Sequence, residues 1–543
     1  MRYLFLLCIY LAASIATAQT GNCGISYGKT ELETDHLSKS IHTTGELWKD
    51  ENGNGRYEIR FPDTTMQFFQ RSAVWMSGKD QNGLWRVAAN TWKNNGTDFY
   101  PGPLDSTGQT HAGRCFDWDF TTSVSRAAIV EHQQLTQQYV TGNGAGIPLQ
   151  QIDPGILYWP AAGNPYFRGQ SGTIYQLSLQ KEMAPYVEVD GQPGYDPVYG
   201  DYPDVPGDEN VWWVFNDVGN EHFGSGGEPL GVEVHGLAYA YHEPPALQYS
   251  TFYRYKITSH RHDLDSFRFS QWLSPGDLSQ RDFFGTDTLS QVTFWAVSWA
   301  GDTTMLMGLQ WLGAQLQDQP QQSIRLSNAM FFNNDFSIGG IPEDPKHYRY
   351  YQASRWKDGS HFTYGFAGNQ RAYIIFPDDP SDSTGWSACG LGFTPFHRNL
   401  VTGLTPVTLR KGSSLEVNFA VWNTRCPTNT PTGCPGFACF RPLAQEHQRF
   451  YDQQVTTVLP SPIAQPLRLY PNPASQSLTI ELPPDVHVAQ MQVVNAMGQV
   501  VRQFSQATTR QQFNVGDLPN GWYILQWRGN DQQLGQQKLL LQR

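Results

Sequence analysis

Leu469-Tyr470-Pro471-Asn472-Pro473-Ala474-Ser475 and Leu478-Thr479-Ile480-Glu481-Leu482 open the block that decides the fold of the C-terminal part of this chain. The block runs on through Met491-Gln492-Val493-Val494-Asn495-Ala496-Met497-Gly498-Gln499-Val500-Val501 and Asp517-Leu518-Pro519-Asn520-Gly521-Trp522-Tyr523-Ile524-Leu525. It closes on Lys538-Leu539-Leu540-Leu541-Gln542-Arg543. Apolar residues at 478, 480 and 482, and again at 491 and 493, alternate with polar ones, the period of a half-buried strand. Asn495-Ala496-Met497-Gly498 and Asn520-Gly521 are turn signals, with glycine supplying positive φ where a hairpin closes. About seven short strands in so small a block predict an immunoglobulin-like β-sandwich.

The order of these motifs resembles the type A C-terminal sorting domain of the type IX secretion system of the Bacteroidota. The residues that carry the resemblance are Tyr470, Pro471, Asn472 and Pro473, then Gly498, then Gly521 and Tyr523, then the basic Lys538 ahead of a last apolar strand. It implies that residues 467–543 are recognised by the secretion machinery and removed at the cell surface. Residues 455–466 carry Pro460, Pro462 and Pro466 and read as the cleavable linker before that domain.

The opposite end fits export. Arg2 precedes an apolar run from Tyr3 to Ile15, and Ala16-Thr17-Ala18 is a small-x-small cleavage site, so residues 1–18 read as a signal peptide. The run is too short to span a membrane as a helix, and no other segment predicts a transmembrane helix.

The 543 residues are 13% aromatic and only 16% charged, and Gly and Pro are frequent, as in a turn-rich extracellular β protein. The formal net charge of −12, without a basic cluster in the sequence, argues against a nucleic-acid partner. Cys8 lies in the signal segment; Cys23, Cys115, Cys389, Cys426, Cys434 and Cys439 remain, an even number suited to an oxidising compartment. Cys426, Cys434 and Cys439 predict a locally stapled loop, with Cys389 as a further partner. Their spacing fits no zinc pattern.

Between the targeting segments the chain reads as strand after strand, with two domains divided at residue 260: 19–260 and 261–454. Ser72–Trp92 is a hairpin about Asp80-Gln81-Asn82-Gly83. Further strands are expected at 211–216, 232–241, 251–258, 267–273, 292–299, 305–311, 372–376 and 415–422. Helices are expected at 122–139, capped by Thr122 or Ser123, and at 442–454. The fold class is therefore mainly β: a multidomain β-sandwich passenger with few short helices, followed by the sorting sandwich. Segments such as Leu47–Glu58, Asp98–Leu104 and Gly200–Asp204 resemble surface proteins that carry the same sorting domain, over about residues 35–260; the resemblance implies a β-rich body and no reaction.

Two acidic turns are calcium candidates. Asp50-x-Asn52-x-Asn54-Gly55 follows the first half of a D-x-[DN]-x-[DN]-G loop, with Glu58 at the ninth position and Phe61 where the closing carboxylate belongs. A second set is Glu188, Asp190, Asp196 and Asp201, with Pro193 where glycine is wanted. The same residues also suit ordinary polar turns. Carboxylates for acid/base chemistry on a glycan would be Asp117 and Asp119, sharing a strand face, and Asp208 and Glu209. His222, His235, His242, His260 and His262 are scattered, and no G-x-S-x-G, P-loop or H-E-x-x-H occurs. Val211-Trp212-Trp213-Val214-Phe215 is either a glycan-stacking platform or a strand buried on both faces. Asp63-Thr64-Thr65, Asp105-Ser106-Thr107, Asp287-Thr288-Leu289, Asp302-Thr303-Thr304 and Asp382-Ser383-Thr384 resemble the O-glycosylation sequon of the Bacteroidota. The expectation is a secreted or cell-surface protein whose passenger binds a glycan or surface-protein ligand, adheres or builds structure; the alternative is a secreted hydrolase of glycans or another extracellular polymer.

Overall fold

The computed structural model describes residues 22–49, 57–68, 71–90, 97–142, 144–274, 283–298, 303–366, 368–392, 398–428, 434–457, 468–481, 488–495, 500–505, 510–529 and 534–542. The expected signal peptide, most of the linker, and Asp50, Asn52, Asn54 and Gly498 lie outside these. The chain forms two compact units, residues 1–447 and 448–543.

In the larger unit an eleven-stranded and a nine-stranded antiparallel sheet share one core. The first runs in the order Leu326–Asn333, Arg398–Leu404, Leu264–Ser274, Arg71–Lys79, Glu46–Leu47, Leu37–His42, Tyr57–Phe61, Thr64–Phe68. The second runs Phe283–Asp287, Val292–Ser298, Thr303–Leu316, Ser414–Pro427, Ser250–Ser259, Val232–Ala240, Glu209–Asn216, Tyr100–Pro101. Both sheets take strands from either side of residue 260. The expected division there does not exist: Leu264–Ser274 is hydrogen-bonded to Arg71–Lys79, and Ser250–Ser259 to Ser414–Pro427. Such long-range pairing leaves no trace in local periodicity.

Ile41, Met76, Phe269 and Phe331 from the first sheet meet Trp213, Tyr255, Trp311 and Phe419 from the second. Each such fully buried side chain contributes roughly 1.5–3 kcal/mol of apolar transfer energy. The outer face of each sheet is covered as well. Trp75, Trp272, Met330 and Phe332 pack against Tyr348 and Tyr351 of the helix Pro345–Tyr351. On the far side Trp212 meets Trp159 of the long loop layer.

The hairpin of Arg71–Lys79 and Trp85–Ala89 forms where the sequence places it. Asp80 Oδ1 accepts the backbone N–H of Asn82 and of Leu84, both at 2.9 Å, Arg86 Nε donates to Oδ2, and Gly83 takes φ +82°. The helix expected from Thr122 starts later. Thr122–Ser125 pairs with Glu209–Asn216 as a strand, and the helix Arg126–Thr136 follows with Ser125 as its cap. Residues 372–376 make a single bridge, Ala329 with Ile374, and no strand.

Candidate functional site

In the smaller unit a three-stranded sheet (Arg468–Tyr470, Ser477–Glu481, Arg510–Asn514) and a four-stranded sheet (Val500–Ser505, Val488–Asn495, Gly521–Gly529, Leu534–Leu541) bury Leu478, Ile480, Met491, Val493, Phe513, Leu525, Leu539 and Leu541. The Tyr-Pro-Asn-Pro motif ties this core to the end of the chain. Asn472 Oδ1 accepts the Leu540 N–H at 2.9 Å, Ala474 N–H donates to the Leu540 carbonyl at 2.8 Å, and Gln542 N–H to the Ala474 carbonyl at 2.9 Å. Pro471 and Pro473 follow cis peptide bonds. Tyr470 Oη donates to Glu481, and Tyr523 Oη closes the Pro519–Gly521 turn on the Pro519 carbonyl. Lys538 stands opposite Ile524 in the sheet.

The carboxylates singled out for catalysis are engaged inside the larger unit. Asp117 ends the helix Ala112–Asp117, so it shares no strand with Asp119; its Oδ1 accepts the Ser171 N–H at 3.2 Å. Asp119 clasps the N-terminal segment: Ser26 Oγ, Thr43 Oγ1 and Gly28 N–H donate to Oδ1 and Tyr27 N–H to Oδ2. Asp208 Oδ2 accepts the His242 backbone N–H at 2.9 Å, and Glu209 Oε1 lies 3.7 Å from His242 Nε2. Burial raises the Glu209 carboxyl, and His242 opposes it. These two acids meet one histidine, whose Nδ1 also lies 3.7 Å from Asp35 Oδ2.

Of the first calcium candidate only Glu58 is described. It accepts Arg60 Nε at 2.6 Å and Gln67 Nε2 at 3.3 Å. In the second, Glu188 is exposed, while Asp190, Asp196 and Asp201 hold the loop backbone. Asp190 accepts Gln192 N–H, Asp196 caps the turn Pro197–Tyr199, and buried Asp201 accepts Val189 N–H at 2.6 Å and Asp196 N–H at 2.9 Å. Burial, with the Asp190 charge adding to it against these N–H donors, pushes Asp201 up to about 6. Among the described residues no three His, Cys, Asp or Glu side chains converge as a metal set.

Disulfides join Cys23 to Cys115, Cys389 to Cys434 and Cys426 to Cys439. Residues 211–215 are all buried, with Val211, Trp213 and Phe215 in the inter-sheet core, so they offer no stacking platform.

Three groupings have no counterpart in the sequence reading. His222 is fully buried, with both ring nitrogens 2.7 Å from carbonyl oxygens of Val87 and Asp217. A carbonyl only accepts, so this pocket favours hydrogen on both nitrogens and hence the charged imidazolium. Burial alone lowers it, but Asp98 and Asp217, at 3.7 and 3.9 Å, hold it above its ordinary value. This is an internal charge clasp. A second group surrounds Glu233. His235 Nε2 and Lys181 Nζ each lie 2.8 Å from its oxygens, Leu104 N–H donates at 2.6 Å, and the buried Nε2 of His260 lies 3.9 Å away without a hydrogen-bond partner among the described residues. Burial raises the Glu233 carboxyl, but the His235 hydrogen bond and the charges of His235, Lys181 and His260 outweigh it and hold it at about 2. Glu233 and His235, two apart on Val232–Ala240, were a legible same-face pair.

The third grouping has Arg371 and Tyr373 exposed and its other arginines and rings half-buried, and it contains no paired acid among the described residues. Arg268 on Leu264–Ser274 donates from Nη1 to the Gln352 carbonyl at 3.2 Å. Gln352 follows the helix Pro345–Tyr351, which sets Arg349 4.3 Å from the Trp85 ring and 5.0 Å from the Tyr350 ring. Arg355 bridges His361, Thr363 bridges Arg371, and Arg371 lies 4.3 Å from the Tyr373 ring. Burial lowers the Arg268 guanidinium, and the nearby charges of Arg371, Arg349 and Arg355 lower it further. None of these four arginines pairs with a carboxylate among the described residues. The only sequence signal was Arg beside Tyr at 348–350 and again at 371–373.

Residues 468–542 match the family described as secretion system C-terminal sorting domain. The small sandwich is therefore a type IX sorting domain, and the protein is one of the cargo of that system, secreted to the cell surface or beyond. Among the described residues no helix is long and apolar enough to cross a membrane. No curated protein matches the chain. Among solved structures, a polysaccharide lyase is similar at 10% identity with a TM-score of 0.17, over 57% of this chain and 34% of that one. The chain thus spans about a third of the lyase's length, and a superposition that loose defines no shared fold or chemistry.

Proposed function

We propose that the larger unit is a binding module, delivered to the outer surface by its sorting domain, that engages an extracellular glycan or surface protein. The surface of Arg349, Arg355 and Arg371 with Trp85, Tyr350 and Tyr373 carries this reading: charged forks and rings stand ready, with no paired acid among the described residues to occupy them. Residues 1–18 act as a signal peptide and are absent from the mature protein. Cleavage after the linker removes the sorting domain. Calcium at the Asp50–Glu58 turn belongs to the same proposal, as a brace for its loop.

The test is a glycan and protein array probed with mature secreted protein, with and without EDTA. Binding to one ligand class is expected, and a calcium brace would make it weaker in EDTA. Absence of any bound ligand together with turnover of a polymer would overturn the reading. A secreted hydrolase is the second reading, favoured by one observation: Glu233 and His235 on the strand Val232–Ala240 form a compact polar group with Lys181 and His260 from neighbouring loops. Its carboxylate, held at about 2, stays ionised at neutral pH and is no proton donor, so the histidines would have to carry the chemistry.

A further inference from the structure

The chain is acidic overall, with 49 Asp and Glu against 37 Lys and Arg. Four arginines gather where the helix Pro345–Tyr351 packs on the outer face of the eleven-stranded sheet, with no carboxylate paired to them among the described residues. Like charges so placed repel one another, whereas elsewhere in the same unit Arg441 pairs with Asp287 and Arg60 with Glu33 and Glu58. The four are also held in place. Arg268 is tied to the Gln352 carbonyl, Arg355 Nη1 donates to the Gly359 carbonyl at 2.9 Å, Arg349 lies on Trp85, and Arg371 on Tyr373. Preheld side chains lose less freedom when a ligand arrives.

We propose that this surface is a binding site for an acidic polysaccharide, one whose sugars carry carboxylate or sulfate groups. The inference rests on the binding reading given above and narrows its ligand class. A guanidinium fork matches the two oxygens of a carboxylate or sulfate, which a lysine ammonium does not. Aromatic faces interleaved with the arginines suit the apolar faces of pyranose rings, and Tyr373 is 48% exposed. A polymer with an anion on successive sugars neutralises several arginines at once.

The secreted mature protein is run in affinity electrophoresis through gels containing polygalacturonate, chondroitin sulfate or neutral dextran, and titrated with a short DNA duplex. One or both acidic polymers should retard it, dextran should not, and added salt should weaken the effect. The double variant R355Q/R371Q should bind at least about tenfold more weakly, since it removes two guanidinium forks that make charge-assisted hydrogen bonds to the polymer. Its circular dichroism and melting temperature should match those of the parent. R410Q, which removes an exposed charge elsewhere, should bind like the parent. Lack of retardation by both acidic polymers, undiminished binding by the double variant, or tighter binding of DNA through the same arginines would overturn the proposal. If the array yields a neutral glycan or a protein whose binding ignores R355Q/R371Q, the binding reading survives and the acidic ligand falls. Polymer turnover without retention would remove the binding reading itself.

Discussion

Lys39 sits in a setting far from that of an ordinary lysine. Its side chain is fully buried, its Nζ has no hydrogen-bond partner among the described residues, and the rings of Tyr57 at 4.8 Å and Trp48 at 5.5 Å face it. Burial lowers its amine from 10.5 to about 7. In the unfolded chain the amine keeps its ordinary value, so between these two values the unfolded state binds more protons and stability rises with pH. The cost of the buried amine is therefore full below about pH 7 and vanishes above about pH 10.5. Lys39→Met keeps the volume and removes the charge. It is expected to raise stability by on the order of 3–4 kcal/mol at pH 7, with the gain shrinking toward pH 10. Melting temperatures of both proteins across that range check this; a constant difference would show that the amine is not the cause.

Among the elements, two pairs of neighbouring strands use one device twice. Gly236 stands opposite Trp213, and Gly308 opposite Trp422, each pair on adjacent antiparallel strands of the nine-stranded sheet. A Cβ on Gly236 would lie 2.3 Å from the Trp213 ring, and one on Gly308 2.2 Å from the Trp422 ring. Neither indole N–H has a hydrogen-bond partner among the described residues, so the rings are placed by packing and not by polar contacts. Gly236→Ala should cost about 1–3 kcal/mol as the indole is forced from its seat. Thermal unfolding together with Trp fluorescence measures both effects. An unchanged melting temperature would mean that the sheet has slack there.

For the molecule as a whole, the sorting domain folds around its own core of Leu478, Ile480, Met491, Leu525 and Leu539, and the larger unit around another. Deleting residues 468–543 should leave a folded, disulfide-bonded passenger that crosses the inner membrane and stays in the periplasm. Cell fractionation of the native host, with protease protection, measures this. Surface display of the truncated protein would contradict the sorting role.

The sequence by itself determined the destination, the β class and most strand positions. Tyr470 to Pro473, Gly521 and Tyr523 are read locally, and alternation such as Leu478/Ile480 follows from which face of one strand is wet. The turn at Asp80–Gly83 was legible for the same reason: its donors and acceptor lie within a few residues of each other. Only the tertiary structure decided that residues on either side of 260 make one sandwich, that residues 211–215 are buried, and that Asp119 is a clasp and not an acid. It alone brought Arg268, Arg349, Arg355 and Arg371 together from separate elements. Strand pairing acts over hundreds of residues and turns on which faces find cover, whereas periodicity reports only what lies next along the chain.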